Sequence, residues 1–191
     1  MAEDPRALRS RRRLQEALHD LLTREALTDI GVAELCRAAG VHRTTFYGHY
    51  TNVGDVASDM HARWLDAAAE ISVQPGDSLD DLAARYEEAT AAVLRGITEE
   101  RPALRALLAS EFSLDFRRRL QALFDERCAT ALSRFRERGF DVVFDDAVAA
   151  AYVAGGFVGA ALRWATSDDA DEESYTRAIF QHLPAWWPRP A

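Results

Sequence analysis

Apolar residues recur at three- and four-residue spacing along nearly the whole chain and no stretch sustains a period of two, so the pattern predicts helices throughout. Leu14, Ala17, Leu18, Leu21 and Leu22 share one face of a first helix, with Asp4 as its cap and Pro5 at its first position. After Thr28 a short second helix turns Val32, Leu35 and Cys36 inward and ends at Gly40; a third runs from about Arg43 to His49. From Asn52, positions 53, 56, 57, 60, 64, 67, 68 and 71 make the stripe of a fourth helix, which Gln74-Pro75-Gly76 ends. Ser78 caps a fifth helix with Leu82, Tyr86, Val93, Leu94 and Ile97 on its inner face. Arg101-Pro102 breaks the pattern before a short sixth helix with Leu104, Leu107 and Leu108, and a long seventh carries Leu120, Phe124, Cys128, Leu132 and Phe135 up to Gly139. Asp145-Asp146 opens an eighth that extends to about Thr166, and a polar loop leads to a ninth with Tyr175, Ile179, Phe180 and Leu183, stopped by Pro184. The expected fold is all-α, with about nine helices.

The composition of the 191 residues, 48% hydrophobic and 28% charged, is that of a folded globular protein rather than a disordered one. Cys36 and Cys128 lack a CxxC partner and read as packed core residues in a reduced compartment. No apolar run approaches the roughly 18 residues of a membrane span, and no hydrophobic segment follows the arginine-rich start, so a cytoplasmic protein is expected. A net charge of -8 would disfavour a polyanionic partner, but it is unevenly spread. Up to Tyr50 there are 8 Arg against 7 acidic residues; beyond it, 15 Arg against 24. With no Lys in the chain, every Lys/Arg-type cation is a planar fork suited to bidentate contacts with phosphates or base edges.

The segment from Gly31 to Tyr50 holds two short helices joined at Gly40, a helix-turn-helix pattern. Leu35, Val41 and Phe46 would face the first helix, leaving Arg43, Thr44, Thr45, Tyr47 and His49 near the outer side, where they can meet base edges and phosphates. Here the chain resembles the tetracycline-repressor (TetR) family of bacterial transcriptional regulators. The resemblance lies in Ala39-Gly40-Val41, Thr45-Phe46-Tyr47 and His49-Tyr50, placed after an amphipathic first helix. It implies a helix-turn-helix DNA-binding domain over residues 1–50 and a helical ligand-sensing and dimerisation domain over residues 51–191. It also implies that Arg43 reads a base, that Thr44 and Thr45 touch phosphate or a thymine methyl, and that Tyr47 and His49 clamp the DNA backbone. Four positions depart from the family pattern: Gly31 where a capping Thr or Ser is usual, apolar Val32 and Ala33 after it, and Val53 in place of a phosphate-touching Lys. Arg6, Arg9, Arg11, Arg12 and Arg13 are expected to compensate by reaching flanking phosphates or the minor groove.

Small residues from Ala149 to Ala161, Gly155, Gly156 and Gly159 among them, let a second helix approach the eighth closely. No strand precedes these glycines and no GK[ST] follows them, so they do not read as a phosphate loop. The resemblance assigns helices eight and nine to a homodimer, and puts Trp64, Tyr86, Phe112, Phe116 and Phe124 on helices that enclose a ligand cavity. The five His residues form no HxxxH pair, and no Ser, His and Asp arrangement suggests a nucleophile, so neither a metal, a cofactor nor catalysis is expected. The function implied is a homodimeric repressor, released from a palindromic double-stranded DNA operator by an unidentified small-molecule effector. The alternative is a regulator of the same fold that answers a protein partner, or activates, without small-molecule induction.

Overall fold

The computed structural model describes residues 5–74, 76–140, 145–168 and 170–189. Among them are nine helices and no strand: α1 (Pro5–Leu22), α2 (Val32–Ala39), α3 (Arg43–Tyr47), α4 (Val53–Ala68), α5 (Leu79–Glu99), α6 (Arg101–Ala109), α7 (Ser113–Arg136), α8 (Asp146–Thr166) and α9 (Glu172–His182). The Asp4 cap expected for α1 lies outside the described residues.

The chain divides into two compact units, Met1–Arg63 with Pro102–Arg119, and Trp64–Arg101 with Leu120–Ala191. This division does not fall at Tyr50, where the boundary between the two domains was expected. The reason is packing. Phe112 covers Gly54 so closely that a Cβ there would lie 2.0 Å from its ring, and the Phe116 ring stands edge-on to His61 at 6.4 Å. Chain beyond residue 100 thus completes the core of the N-terminal unit.

In the first unit α1 packs on α2, and Leu14, Leu18, Leu35, Phe46, Val56 and Ala57 are fully buried. Leu27 and Ile30, in the connection between α1 and α2, are buried as well. Asn52 caps α4 by accepting from the Asp55 backbone N–H at 2.9 Å, and the Asp55 carboxylate accepts from the Thr51 N–H at 2.8 Å. The inner face of α4 continues through Ala57, His61 and Leu65, all buried, rather than through Met60 and Trp64. The expected stripe departs here because the spacing of apolar letters misses a buried histidine, whose Nδ1 lies 2.9 Å from the Ala57 carbonyl.

In the second unit α5 packs against α8 and α9. Ser78 and Asp81 form a full capping box at the start of α5, which holds the Asp81 carboxyl below its ordinary range. Asp145 accepts from the N–H groups of Ala147 and Val148 to cap α8, and Asp171 accepts from that of Ser174 to cap α9. Trp164 of α8 is fully buried; its indole N–H donates to the Leu94 carbonyl at 2.9 Å and to Thr98 Oγ1 at 3.1 Å, and the Arg101 guanidinium covers its ring at 5.0 Å. The expectation that no segment reaches membrane-span hydropathy is corrected: α8, with 21 residues and a mean hydropathy of 1.3, is long and apolar enough by length and composition. Its alanines and valines raise that average, and eight of its residues are buried within the unit.

Candidate functional site

Between α2 and α3 the turn is a Schellman closure. Gly40 takes φ 62° and ψ 35°, its N–H reaches the Arg37 carbonyl at 3.3 Å, and the Val41 N–H reaches that of Cys36 at 3.0 Å. A side chain at φ above zero is strained, so glycine is the residue that lets α3 leave α2 at this angle. Phe46 anchors α3, fully buried and edge-on to Tyr47 at 5.3 Å. Its neighbours Arg43, Thr44 and Tyr47 are thereby turned outward, Tyr47 with 60% of its surface exposed, while Thr45 and His49 are half-buried. α3 ends at Tyr47, two residues before the expected limit, because Gly48 and His49 form a turn.

The departures from the family pattern have structural counterparts. Gly31 precedes α2 with no side-chain cap, and Val53 is buried in the core, where a cationic side chain would have no water. Among the arginines of α1, Arg6, Arg9, Arg12 and Arg13 are exposed and Arg11 is half-buried. Arg12 is already paired with Glu16 at 2.8 Å, and the Arg11 charge acts on the Tyr50 phenol.

A cavity of about 340 Å³ lies entirely within the second unit. Its apolar wall includes Leu123, Val153, Ile179 and the tilted ring pair Phe124 and Phe157, whose centroids are 4.5 Å apart. Of the five aromatic residues expected to enclose a ligand, the structure places Tyr86 and Phe124 in this wall. The other three are elsewhere. Trp64 lies over Gly96, where a Cβ would meet its ring at 2.0 Å, and Phe112 and Phe116 belong to the first unit's core.

The polar part of the wall was not legible beforehand. Arg127 pairs with the Asp66 carboxylate, and its Nη1 and Nη2 donate to the Ala69 and Asp66 carbonyls at 2.9 Å and 2.5 Å. That guanidinium therefore satisfies carbonyls at the negative end of α4. Arg134 Nη1 donates to the Tyr86 hydroxyl at 3.4 Å. Burial pushes the Tyr86 phenol above its ordinary value, with Arg134 opposing, and pushes the Cys128 thiol up to about 12, so both stay neutral at pH 7. Trp187, in the tail after α9, closes the same wall: it is buried among Tyr86 and Phe135, and Arg189 holds the tail by donating to the Phe180 and Leu183 carbonyls. The isolated aromatic pair Trp186-Trp187 was the available signal for this role, but a tail after Pro184 has no periodicity to place it.

Among the described residues no group of three or more His, Cys, Asp or Glu side chains is placed to hold a metal ion. No protein-family model matches the sequence, and no curated protein matches it significantly. Solved structures do. A TetR transcriptional regulator from Rhodococcus sp. RHA1 is similar with a TM-score of 0.61 at 19% identity, over 96% of this chain and 98% of that one. TylP, a TetR regulator from Streptomyces fradiae, is similar with a TM-score of 0.60 at 20% identity, over 97% of this chain and 88% of that one. RolR in complex with its ligand resorcinol is similar with a TM-score of 0.57 at 16% identity, over 93% of this chain and 89% of that one. Nine helices in this order among the described residues, a helix-turn-helix closed at Gly40, and these likenesses over nearly the full length give one conclusion: this chain has the fold of the TetR-family transcriptional regulators.

Proposed function

We propose that the chain is a DNA-binding transcriptional regulator, a repressor that a small molecule releases from a palindromic operator in the cytoplasm. The observation that carries this reading is the outward row of Arg43, Thr44 and Tyr47 on a short helix locked in place by buried Phe46. Arg43 is assigned to a base, where a bidentate guanidinium contact is worth about 1–3 kcal/mol of discrimination. Thr44 and Thr45 are assigned to phosphate or a thymine methyl, and Tyr47 and His49 to the DNA backbone, which positions the helix without reading sequence. Dimerisation is assigned to α8 and α9, supported by an exposed apolar face on α8 in which Val148 is 67% and Tyr152 69% exposed beside Gly155, Gly156 and Gly159.

The cavity of the second unit is assigned to the effector. One similar structure, RolR, holds resorcinol, and a mostly apolar, aromatic-lined cavity of this size suits a small molecule. α4 begins shortly after the reading helix, and near its other end Asp66 stands in the cavity wall. The effector acts by binding the DNA-incompetent arrangement more tightly, since a ligand shifts a population only by its differential affinity.

Gel shift on the DNA upstream of the protein's own gene tests the reading. Wild type should retard the fragment and Arg43→Ala should need about tenfold more protein, the worth of one good bidentate pairing with a base. Equal retardation by the two proteins would overturn the assignment. In the same assay, alanine at Arg9 and Arg13 should flatten the salt dependence by roughly 0.9 in log–log slope for each phosphate no longer neutralised.

A further inference from the structure

The charges around the cavity do not balance in the same way at its two ends. At one end Arg127 is consumed by Asp66 and by two carbonyls of α4. Arg134, two turns further along α7 and so about 10 Å away along the axis, donates only to the Tyr86 hydroxyl, at 3.4 Å, and meets no carboxylate among the described residues. Glu126, the remaining acid of the wall, is exposed to solvent near the Arg127 end. Beside Tyr86, at 6.4 Å between ring centroids, Trp187 keeps its indole N–H buried with no acceptor. A half-buried cation and an unsatisfied donor therefore stand at one end of a space that is otherwise lined mainly by rings and aliphatic side chains, with two threonines, Cys128, Glu126 and the satisfied Arg127–Asp66 pair among them. Both groups lack what an anionic oxygen supplies, because a charge held against apolar walls is costly until it is paired. Tyr86 and Cys128, kept neutral by burial, do not compete for the cation.

We infer that the effector is an aromatic carboxylate whose anionic group pairs with Arg134 and whose ring packs against Phe124 and Phe157. This deepens the proposed function and rests on its assignment of the cavity to the effector. The tilted rings of Phe124 and Phe157, with Leu123 and Val153 in the same wall, offer a planar body the faces and edges that aromatic groups prefer.

Calorimetric titration with 2-naphthoate and its neutral analogue 2-naphthamide tests the inference. Wild type should bind 2-naphthoate about tenfold or more tightly than the amide, a charge-assisted contact against a neutral one. Arg134→Gln should abolish that preference at unchanged melting temperature and unchanged operator affinity, and Arg134→Lys should restore most of it. Equal binding of acid and amide, binding of neither, or a preference that survives Arg134→Gln would each overturn the inference. Dodecanoate carries the carboxylate without a ring, and binding as tight as that of 2-naphthoate would overturn the aromatic part. Gel shift with the same compounds keeps the two claims apart. Tight 2-naphthoate binding with no release of operator supports the ligand class and removes induction; release by the amide alone supports induction and removes the ligand class.

Discussion

At the scale of single residues, the helix-turn-helix depends on a knot at Tyr50. Its hydroxyl donates to Asp59 Oδ2 at 2.6 Å, and Gln15 Nε2 donates to the same oxygen at 2.9 Å, so one carboxylate ties α1, the end of the helix-turn-helix and α4. Burial, then the hydrogen bond and charge of Asp59, push the Tyr50 phenol above its ordinary value of 10, against the nearby Arg11. A folded value above the unfolded one means that the unfolded chain loses its proton first as pH rises. The contribution to stability is therefore full below about pH 10 and fades as pH climbs toward the folded value. Tyr50→Phe should cost about 1.5–3 kcal/mol at pH 7, as a bond to a charged acceptor does. Between about pH 10 and 12, its urea midpoint should fall less than that of wild type; parallel curves would show that the phenol carries no such linkage. The sequence marks Tyr50 by its place in the motif. Its partners come from 35 and 9 residues away, and no local pattern names them.

Two helices meet their neighbours through notches. Gly54 of α4 admits the Phe112 ring and Gly96 of α5 admits the Trp64 ring, each so closely that a Cβ would fall 2.0 Å from a ring atom. Here helical glycine is a matter of volume rather than of backbone freedom, since both lie inside regular helices. Gly54→Ala should cost about 1–3 kcal/mol through overpacking. Phe112→Ala in that background should recover part of the loss, because residues in contact do not add independently. Additive melting shifts in the double mutant would refute the notch. These contacts also account for Trp64 and Phe112, which the resemblance put around a ligand cavity, lying outside the wall of the cavity described. Trp64 sits on a helix like Tyr86 and Phe124, and Phe112 in the turn between α6 and α7, all with the same aromatic character; periodicity says which face is apolar without saying what the face meets.

For the whole molecule, the charge of -8 becomes a division of labour. The residues up to Tyr50 carry nearly equal numbers of acids and arginines, and under the proposed function the acid of the remainder would keep those surfaces off DNA while leaving the helix-turn-helix free to approach it. The apolar face of α8 is the complementary feature, since exposed Val148 and Tyr152 beside three glycines form a surface that water covers poorly. Tyr152→Glu places a charge at the centre of that face. Sedimentation at micromolar concentration should then show a monomer where wild type is a dimer, with weaker operator binding because two half-sites are no longer read together. A wild-type monomer, or a dimer unaffected by the charge, would remove α8 from the interface.

What the sequence by itself determined is local: about nine helices, the starts of two of them at Ser78 and Asp145, the Gly40 turn, and the outward set on α3. Each of these depends on interactions within a few residues, which is the range over which a 3.6-residue period and a capping side chain operate. The tertiary structure alone decided that Phe112 and Phe116 complete the N-terminal unit, that His61 and Leu65 face inward on α4, and that Arg134 and Trp187 share a cavity wall with Tyr86. Those outcomes turn on the rotation of one helix against another by a fraction of a turn. An apolar stripe wider than about 100° leaves that rotation open, and only packing closes it.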